Sequence, residues 1–173
     1  MNLLLRVLYI LLTAGRRGRL TPLDESVIVL RVLPNDLDLH AHMNNGRYLS
    51  IMDLGRLDLI ARCGLGRLAL QQHWVPMVGS ATICYRRPLK LFQRFTLRTR
   101  IVYWDDKWFY LAQQFESDDK IVSSAHIKGL LRGRHGNIAP QTALGLLGFG
   151  DVPRPEPPPS FTRMFLDQQN NEP

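Results

Sequence analysis

The chain has 173 residues, a length that suits one domain with its own hydrophobic core. Its two cysteines, Cys63 and Cys84, have no metal or redox spacing, so we expect both to be reduced residues that pack in the fold. The net charge of +7 invites a nucleic-acid partner, but the basic residues are spread over both termini and several strands without a known nucleic-acid-binding motif. Composition therefore excludes a disulfide scaffold and argues against nucleic-acid binding.

The first twenty residues combine an apolar block with basic residues that follow it. The block from Leu3 to Leu12 is interrupted only by Arg6 and is too short to predict a transmembrane helix. Arginines then follow without any acidic residue: Arg16, Arg17 and Arg19. A signal peptide carries its charge before the block, so this order favours a short helix. Such a helix can lie on a membrane surface or dock on the domain or a partner, and the sequence leaves both open.

The segment 36–49 is dense in polar groups. It follows an apolar run that ends at Pro34 and precedes a helical pattern, so it links a strand to the start of a helix. It contains two carboxylates, two imidazoles and two amides: Asp36, Asp38, His40, His42, Asn44 and Asn45. This density is hard to explain by structure alone, so we expect the functional site here. We expect Asp36 itself to be structural, through a turn bond to the backbone.

The next segment predicts an amphipathic helix of about four turns. Its apolar stripe recurs at spacings of three and four: Tyr48, Ile51, Met52, Gly55 and Leu59. Charged residues fall largely outside the stripe: Arg47, Asp58 and Arg62. We expect Asn44 or Asn45 to cap the N-terminus and Gly64 to follow the C-terminus. Gly55 inside the helix predicts close approach of another backbone, as for a helix that lies in the curve of a sheet.

Four strand patterns follow, at 76–85, 94–104, 107–116 and 120–132. Pairs of aspartates at 105–106 and 118–119 predict tight turns between the last three, and hence an antiparallel sheet. In the strand 94–104 we expect one covered face: Phe95, Leu97, Thr99, Ile101 and Tyr103. One helix against one such sheet predicts a two-layer α+β domain.

The proposed organisation has three parts. Residues 1–20 form the hydrophobic and basic N-terminal segment, and residues 21–145 form the α+β domain. Five prolines between positions 153 and 159 predict an extended C-terminal tail, for which we take residues 146–173.

Two familiar chemistries fit the polar segment poorly. Its carboxylates and imidazoles alternate by two, as metal ligands on one face of a strand would. However, Pro34 indicates that the strand has ended, and the other histidines lack ligand spacing, so we expect no metal. A serine hydrolase is not indicated either, because no Gly-x-Ser-x-Gly motif occurs.

A carboxylate that works alone beside a helix start fits better. Such an Asp can attack a carbonyl or activate a water, while the free helix amides receive the developing oxyanion. Each preorganised donor is worth on the order of 100- to 1,000-fold in rate. The pattern therefore predicts hydrolysis of an already activated ester such as a thioester.

The motif Asp-x-Asp-x-x-Ala-His-Met-Asn-Asn-x-x-Tyr-Leu, with the helix and strands after it, resembles the hotdog-fold thioesterases of the 4-hydroxybenzoyl-CoA thioesterase-like group. The resemblance covers about residues 26–135 and extends to thioesterase-like proteins with a hydrophobic N-terminal segment. It implies an α+β hotdog fold, in which an antiparallel sheet wraps around a long central helix.

The resemblance also implies the site residues. Asp38 stands at the position of the nucleophile or general base, and Asn45 at the position whose backbone N–H polarises the thioester carbonyl. Asp53 stands where the family has a helical Glu, which makes it a third catalytic candidate. Ala41 replaces a frequent glycine, and an alanine with positive φ would be strained. The substrate-binding candidates are His42, Asn44, Tyr48, Arg86, Arg87 and Lys90.

The implied substrate is an acyl-CoA, with no cofactor, and basic residues at 86–100 suit the phosphoryl groups of CoA. The resemblance further implies a homodimer or dimer of dimers, with the site at the interface and the acyl chain between sheet and helix. We expect a cytoplasmic protein of fatty-acid metabolism, and if residues 1–20 bind a membrane, we expect them to lie peripherally on its inner face. The alternative is a non-catalytic acyl-CoA- or lipid-binding hotdog protein at a membrane surface.

Overall fold

A computed structural model describes residues 3–161. The helices are α1 (Leu3–Ala14), α2 (Asn45–Arg62), α3 (Leu65–Gln72) and α4 (Pro140–Leu146). Single 3-10 turns lie at Gly15–Arg17 and Pro34–Asp36, and a short helical turn lies at Pro159–Phe161. The strands are β1 (Ser26–Arg31), β2 (Val75–Tyr85), β3 (Arg94–Trp104), β4 (Phe109–Ser117), β5 (Lys120–Gly133) and β6 (Gly136–Ile138).

All strand pairs are antiparallel, and the sheet has the order β1-β3-β4-β5-β2, with β6 on β5. The four predicted strands are confirmed as β2 to β5. Asp118 and Asp119 both have positive φ, as the predicted tight turn between β4 and β5 requires. The turn after β3 is longer, because the Asp105 carboxylate accepts the N–H groups of Lys107 and Trp108 and delays β4 to Phe109.

Helix α2 lies against one face of the sheet, as the α+β prediction required. Asn44 is its N-cap and Cys63 its C-cap, so both predicted ends are confirmed. A Cβ on Gly55 would lie 2.4 Å from the Thr99 hydroxyl oxygen and 2.9 Å from Cδ2 of Leu97. The predicted close approach is therefore real, but the sheet meets the glycine with side chains and not with its backbone.

Asp58 corrects the predicted face pattern of α2. Its side chain is fully buried, whereas the helical period placed it among the charged residues outside the stripe. It accepts a hydrogen bond from the Ser26 hydroxyl at 2.6 Å. It also forms ion pairs with Arg17 at 2.8 Å and Arg62 at 3.2 Å. These partners allow the carboxylate to stay buried at a helix position that periodicity alone assigns to the solvent-facing side.

A bulge corrects the predicted face of β3. The register shifts between Ile101 and Tyr103, and one extra residue reverses the alternation that follows it. Phe95 is buried on the covered face as predicted, but Tyr103 packs on the opposite face beside Tyr110, with ring centroids 5.3 Å apart. Trp104 takes the core position instead, where it is fully buried.

Helix α1 packs on α2 and has two different faces. Arg6, Ile10 and Ala14 are buried against the domain. The opposite face exposes large apolar side chains: Leu4, Leu5, Leu8, Tyr9, Leu11 and Leu12. Within residues 3–161, no helix has the length and apolarity needed to cross a membrane. The domain division at residue 20 stays a prediction, although α1 contributes to the same core as α2.

Two smaller expectations have different outcomes. Cys63 is buried, as expected of a packing residue, but Cys84 is exposed on the edge strand β2. The C-terminal tail crosses the outer side of the sheet, where Phe161 is buried beside Tyr110 and His126. Tail residues 162–173 lie outside the described part of the chain.

Candidate active site

Asp38 lies in a tight turn just before α2. Its N–H donates to the carbonyl of His42 at 2.9 Å, and its own carbonyl accepts from Ala41 at 3.1 Å. One carboxylate oxygen, Oδ1, accepts the N–H groups of His40 at 2.9 Å and His42 at 3.4 Å. Among residues 3–161, nothing hydrogen-bonds to Oδ2. The turn therefore fixes the carboxylate through one oxygen and leaves the other available.

Ala41 takes a φ of +57° to close this turn. An L-residue pays roughly 1–2 kcal/mol in that region, so the strain expected where the family often has glycine is confirmed. The two histidines contribute backbone groups to the turn, and the structure gives their imidazoles no role in holding Asp38.

The start of α2 presents one free amide. The Asn44 side chain accepts the N–H of Gly46 at 2.8 Å, and the Asn44 carbonyl accepts that of Arg47 at 2.9 Å. No acceptor within residues 3–161 bonds the N–H of Asn45, the first residue of the helix. Asn44 and Asn45 are both exposed. A helix-start donor, at the positive end of the helix dipole, is thus open to a ligand beside the Asp38 turn.

Asp36 anchors the turn from its buried side. Its fully buried carboxylate accepts the N–H of Leu33 at 2.9 Å, which confirms the expected turn bond. It also pairs with Arg6 of α1 at 2.5 Å and with Arg47 of α2 at 2.9 Å. Its carbonyl accepts the N–H of Asn44 at 2.8 Å. One carboxylate therefore connects α1, the turn and the start of α2.

Burial alone would raise the pKa of Asp36. The Leu33 N–H and the two guanidinium groups outweigh burial and hold the pKa of Asp36 below its ordinary value. The carboxylate is therefore charged at neutral pH, although it is out of contact with water.

Tyr85 is a site residue that the sequence analysis missed. Its hydroxyl donates to the Asn45 carbonyl at 3.0 Å, and its ring packs edge-on against Tyr48 with centroids 5.2 Å apart. Tyr48 is only 2% exposed, packs on Phe115 as well, and burial raises its pKa to about 12. Tyr48 thus supports Tyr85 from the core. Tyr48 itself has almost no exposed surface for the predicted contact with substrate.

The predicted basic residues lie beside the turn. His42 forms a β-bridge with Lys90, and the Met43 N–H donates to the Leu89 carbonyl at 2.8 Å, so segment 86–90 runs along the turn. Its cationic side chains are exposed: Arg86, Arg87 and Lys90. Arg98, from the wider basic stretch, is instead occupied by ion pairs with Glu25 and Glu116.

Asp53 lies apart from the Asp38 turn. It is eight residues into α2, about 12 Å along the axis from Asn45 at the usual helical rise. Its exposed side chain pairs with Arg56, and both line an apolar cavity between α2 and the sheet. Arg56 also donates to the buried side chain of Gln113 at 2.6 Å. Burial lowers the pKa of Arg56, an effect that the Asp53 carboxylate opposes.

The four alternating carboxylates and imidazoles do not form a ligand set. Asp36 is buried in ion pairs, whereas Asp38 and His40 belong to the turn above it. Within the described ranges, no group of three or more His, Cys, Asp or Glu side chains could hold a metal ion.

Comparison with known proteins gives the same family as the motif. A sequence profile described as the thioesterase-like superfamily matches residues 32–165. Protein THEM6 of Danio rerio is 44% identical over 119 residues, which are 67% of this chain and 59% of the relative. The probable thioesterase YBR096W of Saccharomyces cerevisiae is 26% identical over 119 residues, which are 66% of this chain and 51% of the relative. The chain spans about half the length of the curated relatives it matches.

The crystal structure of YbaW, a probable thioesterase from Escherichia coli, superimposes with a TM-score of 0.66. The match covers 74% of this chain and 99% of that chain at 21% identity, a level that shows the fold alone. The hotdog fold is thereby confirmed. The narrower likeness to the 4-hydroxybenzoyl-CoA group stays a prediction.

The buried ion pairs of Asp36 give the first testable prediction. Arg6→Met removes one of two cations from a buried carboxylate, so we expect a loss of about 3–5 kcal/mol in the free energy of unfolding. Urea unfolding at neutral pH measures it. Arg16→Met is the matched control, since Arg16 is exposed on the same N-terminal segment and should change stability by less than about 0.5 kcal/mol. Equal stability of the two variants would contradict the prediction.

The same pairs fix the direction of the pH dependence. Because the folded pKa of Asp36 lies below the unfolded value near 3.9, its contribution is present above that value and is lost as pH falls through the folded pKa. Removal of Arg6 raises the folded pKa. Acid unfolding of Arg6→Met should therefore begin at a higher pH than that of the wild type.

Proposed function

The chain belongs to the thioesterase-like superfamily, and on that premise we propose that it hydrolyses an acyl thioester, with acyl-CoA as the substrate class. The name of the yeast relative, a probable thioesterase, supports the activity. The observation that carries the proposal is the pairing of two available groups at one helix start. These are Oδ2 of Asp38 and the N–H of Asn45, neither of which has a hydrogen-bond partner among residues 3–161.

The two groups suit the two needs of thioester hydrolysis. The Asp38 carboxylate either attacks the thioester carbon, so that the thiolate leaves and water cleaves the resulting anhydride, or removes a proton from an attacking water. The Asn45 N–H donates to the carbonyl oxygen as negative charge develops there. Tyr85 holds the Asn45 carbonyl and so steadies the peptide that follows it. Asp53 lies about 12 Å along α2 from Asn45, so we propose that it acts at the wall of the apolar cavity and not on the thioester carbonyl itself.

Segment 86–90 supports CoA as the thiol part of the substrate. Arg86, Arg87 and Lys90 are exposed cations on a segment held against the Asp38 turn. Phosphoryl groups favour such a cluster, because each charge-assisted hydrogen bond is stronger than a neutral one.

Release of free thiol from a panel of short, long and aromatic acyl-CoAs tests the proposal. We expect Asp38→Asn to lower the rate by about 100- to 10,000-fold, because the amide cannot act as base or nucleophile. We expect Asn45→Pro to lower kcat by about 100- to 1,000-fold, because proline fits the first helical position but lacks the N–H. Asn45→Ala, which keeps the N–H, is the matched control and should retain activity.

Two results would overturn parts of this assignment. Wild-type rates in Asp38→Asn would remove the carboxylate from the chemistry, and equal loss in Asn45→Ala and Asn45→Pro would show that the side chain acts. Tight binding of an uncleavable alkyl-CoA thioether without any thiol release from acyl-CoA would favour the alternative, a non-catalytic acyl-CoA-binding protein.

The edge strand β2 supports the proposed homodimer. It is the last strand of the sheet order, runs for 11 residues and is exposed along most of its length. Its apolar side chains Val75, Met77 and Val78 are each about half exposed. A long apolar edge is a template for another strand, so we propose that β2 pairs with β2 of a second copy.

Sedimentation equilibrium measures this association. We expect the double variant Val75→Lys, Thr82→Lys to weaken the dimer at least about tenfold, because lysines block edge-to-edge pairing. Val29→Lys is the control, since Val29 is exposed on β1 at the opposite edge. If Val29→Lys weakens association and the β2 variant does not, the interface lies at the other edge.

The outer face of α1 supports a peripheral position on a membrane surface, which we propose to be the inner face, in the cytoplasm. The six exposed apolar side chains of this face precede the exposed cations Arg16 and Arg19, which suit anionic lipid. We expect flotation with phosphatidylglycerol vesicles that weakens with salt and is lost in Leu8→Glu, Leu12→Glu. Leu70→Glu, an exposed apolar position on α3, is the control. Unchanged flotation of the α1 variant would rule out this helix as the anchor.

A further inference from the structure

An apolar cavity of about 330 Å³ lies between α2 and the inner face of the sheet. Its walls are almost entirely aliphatic and aromatic, from α2, from β2 to β5 and from α3. Asp53 and Arg56 are the only charged side chains among the described residues that line it, and they pair with each other. A cavity of this size is at the small end for ligand sites, and its lining suits an alkyl chain more than a polar ligand.

Helix α1 contributes one wall of this cavity. Leu3 and Val7 are spaced by four residues, and both line the cavity. The same stripe continues one turn later in Ile10, which is fully buried. The N-terminal helix therefore completes the apolar cavity with its inner face, while its leucine-rich face points away from the domain.

The position of α1 is fixed at both ends. Arg6, adjacent to Val7, is 1% exposed and pairs with Asp36, and it also donates to the Arg31 carbonyl at 3.0 Å. At the other end, Arg17 pairs with the buried Asp58 of α2. A wall held by two ion pairs with buried carboxylates does not give way easily to a longer ligand.

On the premise that this cavity takes the alkyl part of the proposed substrate, we infer that Val7, on the wall contributed by α1, is a specificity-determining residue that limits the length of the chain accepted. The inference rests on the proposed function for its substrate class. A smaller residue at position 7 enlarges the cavity, and a larger one reduces it. A single methylene in an apolar pocket changes discrimination by about tenfold or more, so the effect is measurable.

The test uses binding as well as turnover. Affinities for uncleavable S-alkyl-CoA thioethers of short, medium and long chain are measured by calorimetry, in buffer without vesicles, for wild type, Val7→Ala and Val7→Phe. Thiol release from the matching acyl-CoAs is measured in parallel. Leu4→Ala is the control, because Leu4 is 71% exposed on the opposite face of α1.

We expect Val7→Phe to lose about tenfold in affinity for the longest chain and little for the shortest, and Val7→Ala to shift the preference to longer chains. Leu4→Ala should match the wild type. Should the phenylalanine fail to fold, Val7→Ala and Leu3→Ala carry the test, since both enlarge the cavity. Equal effects on all chain lengths, or none, would overturn the inference.

The readouts separate the inference from the proposed function. Substitutions at position 7 that change binding in a chain-length-dependent way, without thiol release by any variant, would support the role of Val7 and contradict the proposed hydrolysis. Thiol release with the same dependence on chain length in wild type and in the position-7 variants would support the proposed hydrolysis and contradict the role of Val7.

Discussion

The buried carboxylate of Asp36 is the constraint on which the site depends. A fully buried charge is tolerated only when it is paired and hydrogen-bonded, and Asp36 finds its partners in three separate segments. Leu33 is local, Arg47 belongs to the first turn of α2, and Arg6 comes from the N-terminal helix. The satisfaction of one carboxylate therefore fixes the entry to the Asp38 turn, the start of α2 and the position of α1 together.

The parts that local periodicity determines could be predicted from the sequence. The four strands, the turn at Asp118 and Asp119, and both ends of α2 follow from apolar spacing and capping chemistry, and they are confirmed. Periodicity fails where tertiary contacts override it. Asp58 is buried because Ser26, Arg17 and Arg62 satisfy it. Arg62 is its i+4 neighbour on α2, but Ser26 and Arg17 are distant in sequence and leave no local signal.

The reversed face of Tyr103 has a similar origin. A single extra residue in β3 changes the alternation, and strand patterns carry no mark of where such a bulge falls. The density of polar residues directed attention to segment 36–49 as the candidate site, but Tyr85 lies 40 residues from the peptide it holds and was not found. Arg6 did leave a signal: one arginine in an apolar block indicates a helix face that needs an internal partner.

The same arginine, Arg6, determines whether the inner face of α1 stays on the domain when the outer face contacts lipid. A membrane that attracted the whole helix away from the domain would have to strip Arg6 from Asp36, and breaking a buried pair costs about 3–5 kcal/mol. The gain from that step is small, because the exposed leucines already face outward and the lipid would gain only the inner-face residues Leu3, Val7, Ile10 and Ala14. Uncovering these residues also opens the core of the domain to water. The physical balance therefore favours a docked α1, so the proposed lipid contact of its outer face is compatible, in one conformation, with an inner face that lines the cavity.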